Sequence, residues 1–304
     1  MIAVSVTKPK VSRRAFLGNT LTAAAVTGLV PSVALAGNRM NGQRKLAVAS
    51  ICFDGFGNEK HEPTFRFAPQ VGIKNIEFNL WYPEMLTPAY LERLMERCHE
   101  AELTPVSLQG TSFGGEGRTG VIKDLTHKLW LLEKAKAMGC DTVKFTGSRR
   151  DTNGGLDHVI AVCRELAPAA ESLGINVVLE NHDRNVLERP EDYTEIFAAI
   201  DSPRLGMCLD TGHFEGSGIP LAAVVDQFRS KILHIDLKDC VEFGAGHNTA
   251  VFGEGVTDFD GFLSDVIEGG YQGHLVIEMA WREPREPLVR NLINARKKFA
   301  RYES

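Results

Sequence analysis

Four short apolar runs in the second half of the chain each stop at a side chain that can bind a metal ion or move a proton. The four residues at these ends are Glu180, Asp210, His234 and Glu278. An apolar run that stops at an ionisable residue is typical of a buried strand whose carboxyl end opens into a site. In a parallel barrel these ends gather on one face. We therefore expect the four side chains to meet.

Three carboxylates and one imidazole form a ligand set that suits one divalent ion, with Mn, Mg, Co and Zn all open. Without a cation the carboxylates would repel one another and raise each other's pKa values. Any one of the four could be an ordinary solvated residue at a strand end. Four of them on successive strands favour a metal site.

The elements that must hold these residues alternate along the whole chain. Apolar runs alternate with segments of helical periodicity, separated by turns. The predicted strands are Lys45–Phe53, Gly72–Phe78, Thr104–Leu108, Thr142–Thr146, Asn176–Glu180, Arg204–Asp210, Lys231–Lys238 and Gly273–Glu278. The predicted helices are Pro63–Val71, one starting at Thr87–Pro88, Leu125–Met138, Leu156–Leu173, Tyr193–Ile200, Leu221–Phe228, Phe259–Ile267 and Pro287–Tyr302, with a glycine-rich loop over Gly110–Gly120.

Eight strands that alternate with eight helices predict a single α/β domain, a (β/α)8 TIM barrel. The alternative is an open, doubly wound sheet. It lacks support because no GxGxxG pattern follows the first strand.

The first 36 residues have the pattern of an export signal. Ser12–Leu17 carries a twin arginine, an apolar stretch of small residues follows, and Ala34–Ala36 provides a small-residue cleavage site. A transmembrane anchor is the alternative, but the stretch is too short and too interrupted to span a membrane well. We predict a twin-arginine signal over 1–36, a barrel over 37–304, and a periplasmic or otherwise exported protein with no stable membrane insertion after cleavage.

The net charge of the chain limits the kinds of molecule that it can bind. The formal net charge of −5 becomes −9 without the signal, which carries four basic residues and no acid. An acidic chain argues against a nucleic-acid partner, which requires a basic surface.

The six cysteines form no CxxC pair. Several lie within apolar runs, and we expect them to be mostly free and buried.

Five segments together resemble the xylose-isomerase-like sugar epimerase and isomerase superfamily, which includes ketose 3-epimerases, inosose dehydratase and the endonuclease IV barrel. The segments are Leu179–His182, Leu209–His213, His234–Asp239, Gly253–Phe259 and Val276–Glu278. The resemblance covers nearly the whole predicted barrel and is most specific from the fifth strand onward. It indicates the superfamily strongly and the substrate weakly.

The resemblance implies that Glu180, Asp210, His234 and Glu278 hold one divalent metal ion. It also implies that Glu180 and Glu278 are the catalytic pair, which exchange a proton of a small-molecule sugar from opposite sides. The metal would polarise a carbonyl and hold the enediolate formed. Homo-oligomers are common in this superfamily, which leaves a homo-oligomer open here.

Four further residues are predicted to contact substrate: His213, Lys238, His182 and Glu77. His213 matches a family histidine, and Lys238 lies on the same strand face as His234. His182 could instead orient Glu180. For Lys144, which points to the same face, we favour a structural salt bridge. The family's epimerases often carry an arginine after the seventh-strand ligand, but Cys240 and Val241 stand there.

The leading prediction is thus a metal-dependent sugar isomerase or epimerase. One alternative is a lyase that performs β-elimination on a keto-sugar or 3-keto-glycoside with the same site. Another is a non-catalytic periplasmic carbohydrate-binding barrel. An endonuclease-IV-like phosphodiesterase is disfavoured because it needs more metals and more histidines at strand ends than this chain offers.

Overall fold

The computed structural model describes residues 44–152, 154–246, 248–279 and 285–304. Eight parallel strands close into a barrel in the order β1-β10-β7-β6-β5-β4-β3-β2. They are β1 Leu46–Ala49, β2 Asn75–Asn79, β3 Thr104–Gln109, β4 Thr142–Thr146, β5 Asn176–Glu180, β6 Leu205–Asp210, β7 Ile232–Leu237 and β10 Leu275–Ile277. Between β7 and β10, β8 (Asp239–Cys240) and β9 (Thr249–Ala250) form a small antiparallel pair. The prediction of a (β/α)8 barrel is confirmed.

Helices connect the strands on the outside. They are α1 Ile51–Asp54, α2 Glu62–Val71, α3 Pro88–Glu100, α4 Gly117–Met138, α5 Gly155–Leu173, α6 Pro190–Ala199, α7 Thr211–Gly216, α8 Leu221–Phe228, α9 Phe259–Glu268 and α10 Arg285–Phe299. Short 3-10 turns lie at Pro83–Leu86, Arg229–Lys231 and Ala300–Tyr302.

Three local predictions need correction. The first strand does not run to Phe53, because the chain turns into α1 at Ile51. Helix α4 begins at Gly117 rather than Leu125, so it takes in the end of the predicted glycine-rich loop. Helix α7 was not predicted. It begins directly after β6 because the Asp210 side chain accepts a hydrogen bond from the backbone N–H of His213 and caps it.

The core lies in two layers, inside the barrel and between barrel and helices. Every residue of β6 is buried, as expected of a parallel strand covered on both faces. Helix α5 packs an apolar stripe that includes Val159, Val162 and Leu166 against the core. Gly174 ends α5 in the left-handed conformation (φ 69°), where glycine has no Cβ penalty.

The pairing register decides which residues share a level of the barrel. His234 and Asp236 on β7, and Lys238 directly after the strand, alternate with the apolar Ile235 and Leu237. The pairing of β6 with β7 sets Asp210 opposite Asp236, and Cys208 opposite His234. His234 therefore lies two residues, roughly 6.6 Å, further from the carboxyl end of the strand.

All six cysteines are buried and none forms a disulfide. No helix among the described residues is long and apolar enough to cross a membrane. The predicted signal over 1–36 lies outside the described residues, so that segment and its boundary stay predictions.

Candidate active site

A cluster of buried carboxylates lies at the carboxyl end of the barrel strands. Glu180, Asp210, Asp236 and Glu278 each offer an oxygen within 4.8 Å of the others. None of the four side chains is more than 5% exposed. Three of these residues were predicted from the sequence, and Asp236 was not. Their role as metal ligands stays a prediction.

The structure does not bring His234 into this group of four. Its Nε2 lies 3.0 Å from Glu77 Oε2 and 3.5 Å from Asp236 Oδ1, on the deep side of the cluster. The reason is the alternation of side chains along β7. Three polar residues share the inward face, and the middle one, Asp236, is level with Asp210.

Two buried ammonium groups stand among the carboxylates. The Nζ of Lys144 lies 2.5 Å from Asp236 Oδ2, 2.7 Å from Glu77 Oε1 and 2.8 Å from Glu278 Oε2. The Nζ of Lys238 lies 2.5 Å from Asp210 Oδ2 and 2.9 Å from Glu278 Oε1. Both lysines bridge several carboxylates at once. Lys144 therefore forms the salt bridges favoured from the sequence, but within the cluster itself.

These surroundings push the pKa values of the two candidate catalytic carboxyls apart. Burial raises the pKa of Glu180 well above its usual range, and Lys144 only partly offsets it. Burial acts in the same direction on Glu278, but the ammonium groups of Lys144 and Lys238 outweigh it and hold the Glu278 pKa below its usual range. Two carboxyls that differ in this way can serve as an acid and a base.

The cluster contains groups of both charges. Burial alone would lower the pKa of His234, but Asp236 and Glu77 raise it to about 10, so this imidazole is positive at neutral pH. With two lysines it supplies three positive charges. These cations contact five carboxyl groups: Glu77, Glu180, Asp210, Asp236 and Glu278. Burial raises the pKa values of Glu180 and Asp210, so these two carboxyls retain protons at a higher pH than usual. The oxygen donors of the cluster fit one divalent cation.

A cavity of about 350 Å³ opens above the cluster. Its floor contains Glu180, Glu278 and Lys238, and its wall includes His182 and His213, whose ring centroids are 4.0 Å apart. On another side, the rings of Phe56 and Trp81 stack with centroids 5.9 Å apart. A cavity with a polar floor and an aromatic wall can hold a small polyhydroxylated molecule.

The predicted substrate contacts divide into two groups. His213, Lys238 and His182 line the cavity, and Lys238 Nζ lies 3.1 Å from His213 Nε2. Glu77 is not among the residues that line it, and its contact with substrate stays a prediction. Strand β2 continues two residues beyond it to Asn79, so Glu77 lies fully buried beneath the floor, where it accepts a hydrogen bond from the Ser107 hydroxyl at 2.7 Å.

Sequence reasoning also missed Gln109. Its side-chain Nε2 donates to Glu180 Oε2 at 3.0 Å, and the residue lines the cavity. This is the orienting contact to Glu180 that had been considered for His182, whose Nδ1–H donates to the Asp183 carbonyl at 3.0 Å. Gln109 is the last residue of β3. That position was the available signal, since side chains at strand carboxyl ends face the site.

Comparisons with known proteins agree with the observed fold. Residues 65–299 match the family model of the xylose isomerase-like TIM barrel. An inosose dehydratase of Yersinia enterocolitica is 25% identical over 250 residues, which cover 72% of this chain and 80% of the relative. A fructoselysine 3-epimerase of Escherichia coli O157:H7 is 27% identical over 126 residues, 40% of this chain, and the match spans only 45% of that relative's length.

Among solved structures, a zinc-bound crystal structure of the IOLI protein superposes with a TM-score of 0.69. The match covers 85% of this chain and 99% of that chain at 20% identity. At that level of identity the likeness concerns the fold alone.

Proposed function

The chain belongs to the xylose isomerase-like TIM barrel family, and from that premise we propose that it is a sugar isomerase or epimerase that abstracts a proton next to a carbonyl. The observation that carries the proposal is the pair Glu180 and Glu278 on the floor of one cavity, with Lys238 beside Glu278. Related chains named as an epimerase and a dehydratase support a sugar-like substrate.

The proposed reaction begins with a carbonyl compound seated on the floor of the cavity. The Glu278 carboxylate takes the proton from the carbon beside the carbonyl. Glu180, which Gln109 holds by a hydrogen bond, returns a proton to the opposite face of that carbon. The two transfers together invert one centre and leave the composition of the substrate unchanged.

Lys238 and His213 have a binding role in this proposal. Their Nζ and Nε2 atoms face one another at 3.1 Å beneath the cavity, where they can contact the oxygen that gains negative charge. The stacked rings of Phe56 and Trp81 offer an apolar face to the substrate ring. The buried floor limits access of water to the carbon being deprotonated.

We propose that Glu180, Asp210 and Glu278, with a fourth ligand from β7, hold one divalent cation. The set of oxygen donors fits such an ion. When bound, the ion would act as a Lewis acid on the substrate oxygens. The zinc in the IOLI crystal structure is a property of that protein and supports only the plausibility of a divalent ion here.

A lyase is the second candidate because it shares the first step. After proton abstraction, a leaving group on the neighbouring carbon would depart and take a proton from the acid of the pair. The dehydratase relative favours keeping this candidate.

We further propose that the protein acts outside the cytoplasm, on the basis of the twin-arginine pattern over Ser12–Leu17. Fractionation of cells that produce the full chain tests this.

Exchange of substrate hydrogen with deuterium tests the proposed chemistry. The protein is incubated with Mn²⁺ in D₂O and a panel of free sugars and 3-keto-glycosides, and NMR follows the proton beside the carbonyl. An unchanged mass apart from deuterium indicates an isomerase or epimerase, and loss of water or an aglycone indicates a lyase.

The controls are a chelated sample and Glu102→Gln, which changes an exposed carboxylate paired with Lys74. We expect Glu278→Gln to lose exchange, Glu180→Gln to lose the inverted product, and Glu102→Gln to retain both. Full exchange in Glu278→Gln, or full inversion in Glu180→Gln, would contradict the proposal.

A further inference from the structure

One departure from the expected ligand set lies on β7. The sequence reasoning gave His234 as the fourth ligand, but the register of β6 and β7 makes Asp236 the partner of Asp210. Asp236 is fully buried, and its Oδ1 accepts no hydrogen bond among the described residues, although the imidazole of His234 lies 3.5 Å away. A divalent ion can supply the close contact that this oxygen lacks.

The surroundings of His234 point the same way. Its Nε2 is engaged by Glu77 Oε2 at 3.0 Å. Cys208, its partner across the β6–β7 pair, donates its thiol to Asp236 Oδ2 at 3.1 Å. The imidazole therefore belongs to the layer below the cluster, where it holds Glu77 and the deep side of Asp236.

We propose that Asp236, not His234, supplies the β7 ligand, so that the metal site of this chain consists of four carboxylates. This inference rests on the proposed metal dependence and specifies it. An all-oxygen site is hard and anionic, which suits Mg²⁺ or Mn²⁺. Exchanging an imidazole for a carboxylate lowers the relative preference for Zn²⁺, which binds nitrogen ligands readily. Asp236 thus sets the selectivity between zinc and manganese.

The test measures metal binding directly, without a substrate. Dissociation constants for Mn²⁺ and Zn²⁺ are determined on the chelator-stripped full-length protein by calorimetry, with Mn²⁺ electron paramagnetic resonance as a second readout. We expect Asp236→Asn, which keeps the shape of the side chain, to weaken Mn²⁺ binding at least tenfold. We expect Asp236→His to raise the preference for Zn²⁺ over Mn²⁺ at least tenfold.

The matched control is His234→Gln, because glutamine can still donate a hydrogen bond to Glu77. We expect its Mn²⁺ affinity to stay within about threefold of wild type. Circular dichroism confirms that each variant is folded. Equal weakening in His234→Gln and Asp236→Asn, or unchanged binding in Asp236→Asn, would overturn the assignment.

The design also separates this inference from the proposed reaction. Binding of Mn²⁺ that depends on Asp236, without deuterium exchange on any sugar, would support the metal assignment and count against the reaction. Exchange by a protein that binds no metal would support the reaction and overturn the assignment of Asp236.

Discussion

Two buried lysines lie on neighbouring elements of the barrel and have opposite surroundings. Lys128, on α4, contacts one carboxylate: its Nζ lies 2.7 Å from Asp124 Oδ1. Its Nζ also donates to the Thr111 carbonyl at 3.5 Å, and the ring centroids of Phe113 and Phe145 lie 4.3 and 4.7 Å away. Lys144, on β4, lies instead within 4 Å of four carboxylates: Glu77, Glu180, Asp236 and Glu278.

The pKa values of the two ammonium groups follow these surroundings. Burial lowers the pKa of Lys128, and Asp124 restores only part of it. Burial also acts against the charge of Lys144, but the carboxylates around it outweigh that effect and raise its pKa well above the usual value. Burial alone therefore does not identify a functional lysine. The excess of opposite charge around it does.

The Lys128 pair has the features of a structural support. Asp124 also accepts hydrogen bonds from the Gly114 backbone N–H at 3.0 Å and from His158 Nε2 at 2.9 Å. Both carboxylate oxygens of Asp124 therefore accept hydrogen bonds, and its one negative charge pairs with the one positive charge of Lys128. The group of Asp124, Lys128 and His158 fixes the loop between β3 and α4, and residues 110–112 of that loop line the cavity. It supports the site without belonging to it.

The largest expected effect distinguishes the carboxylates of the active site from Asp124, the partner of Lys128. Glu278→Gln should reduce the rate of deuterium exchange about 10²–10⁴-fold, the usual contribution of a general acid or base. Asp124→Asn should reduce it far less, because Asp124 does not touch the cavity. Initial rates by NMR measure both. A comparable loss in the two variants would break the distinction between reacting and supporting carboxylates.

The next effect concerns stability and its rescue by a cation. Lys128→Met leaves Asp124 buried without its ammonium partner and should cost about 3–5 kcal/mol of unfolding free energy. Lys144→Met should destabilise the chelated protein similarly. Mn²⁺ should stabilise Lys144→Met more than wild type, because the ion replaces the lost positive charge. It should stabilise Lys128→Met only as much as wild type. Denaturant unfolding with and without Mn²⁺ measures this, and equal increments in all three proteins would contradict it.

A smaller effect is expected on the dependence of stability on pH. Burial raises the pKa of Asp210 to about 7 in the metal-free fold, only partly offset by Lys238. Between about pH 4 and 7 the folded state then holds this proton and the unfolded state does not. Asp210 therefore makes the chelated protein less stable as pH rises through that window.

Buried histidines act in the opposite direction over part of the same range. Burial lowers the pKa of His61 to about 4, so its contribution to stability is lost as pH falls below about 6.5. The difference between wild type and Asp210→Asn isolates the carboxyl. We expect Asp210→Asn to gain stability relative to wild type as pH rises from 4 to 7. No change in that difference would show that Asp210 titrates normally.

The smallest effect is expected at the mouth of the cavity. Trp81→Ala removes the ring that stacks on Phe56 and should raise KM about tenfold, or 1.4 kcal/mol. The turnover number should change little, because the indole ring is not one of the two carboxyls assigned to proton transfer. Phe243→Ala, which removes a 49% exposed ring outside the cavity lining, is the control. A fall in turnover at unchanged KM would place Trp81 nearer to the chemistry.

The sequence predicted the barrel well because its signal is repeated eight times. Apolar runs and helical stripes fix the number and order of elements. Glu180, Asp210 and Glu278 could be predicted for the same reason, since each ends or directly follows an apolar strand run. Those residues meet in the structure as expected.

The depth of each side chain could not be predicted in the same way. The pattern His234-Ile-Asp236-Leu-Lys238 places three polar residues on one face, and the period of two cannot say which is level with Asp210. That depends on how β7 pairs with β6, including a register shift between Met207 and Cys208. The same lack of register information placed Glu77 in the cavity instead of beneath it.

The buried, unpaired cysteines give the fold a built-in reporter. Burial raises the pKa of the Cys163 thiol to about 12 and that of Cys208 well above its usual value, so neither is a reactive thiolate in the native state. A thiol reagent will therefore label a buried cysteine only as fast as the structure around that cysteine opens. Because Cys208 lies against Asp236, its rate of labelling measures how often the structure around the floor of the site opens locally.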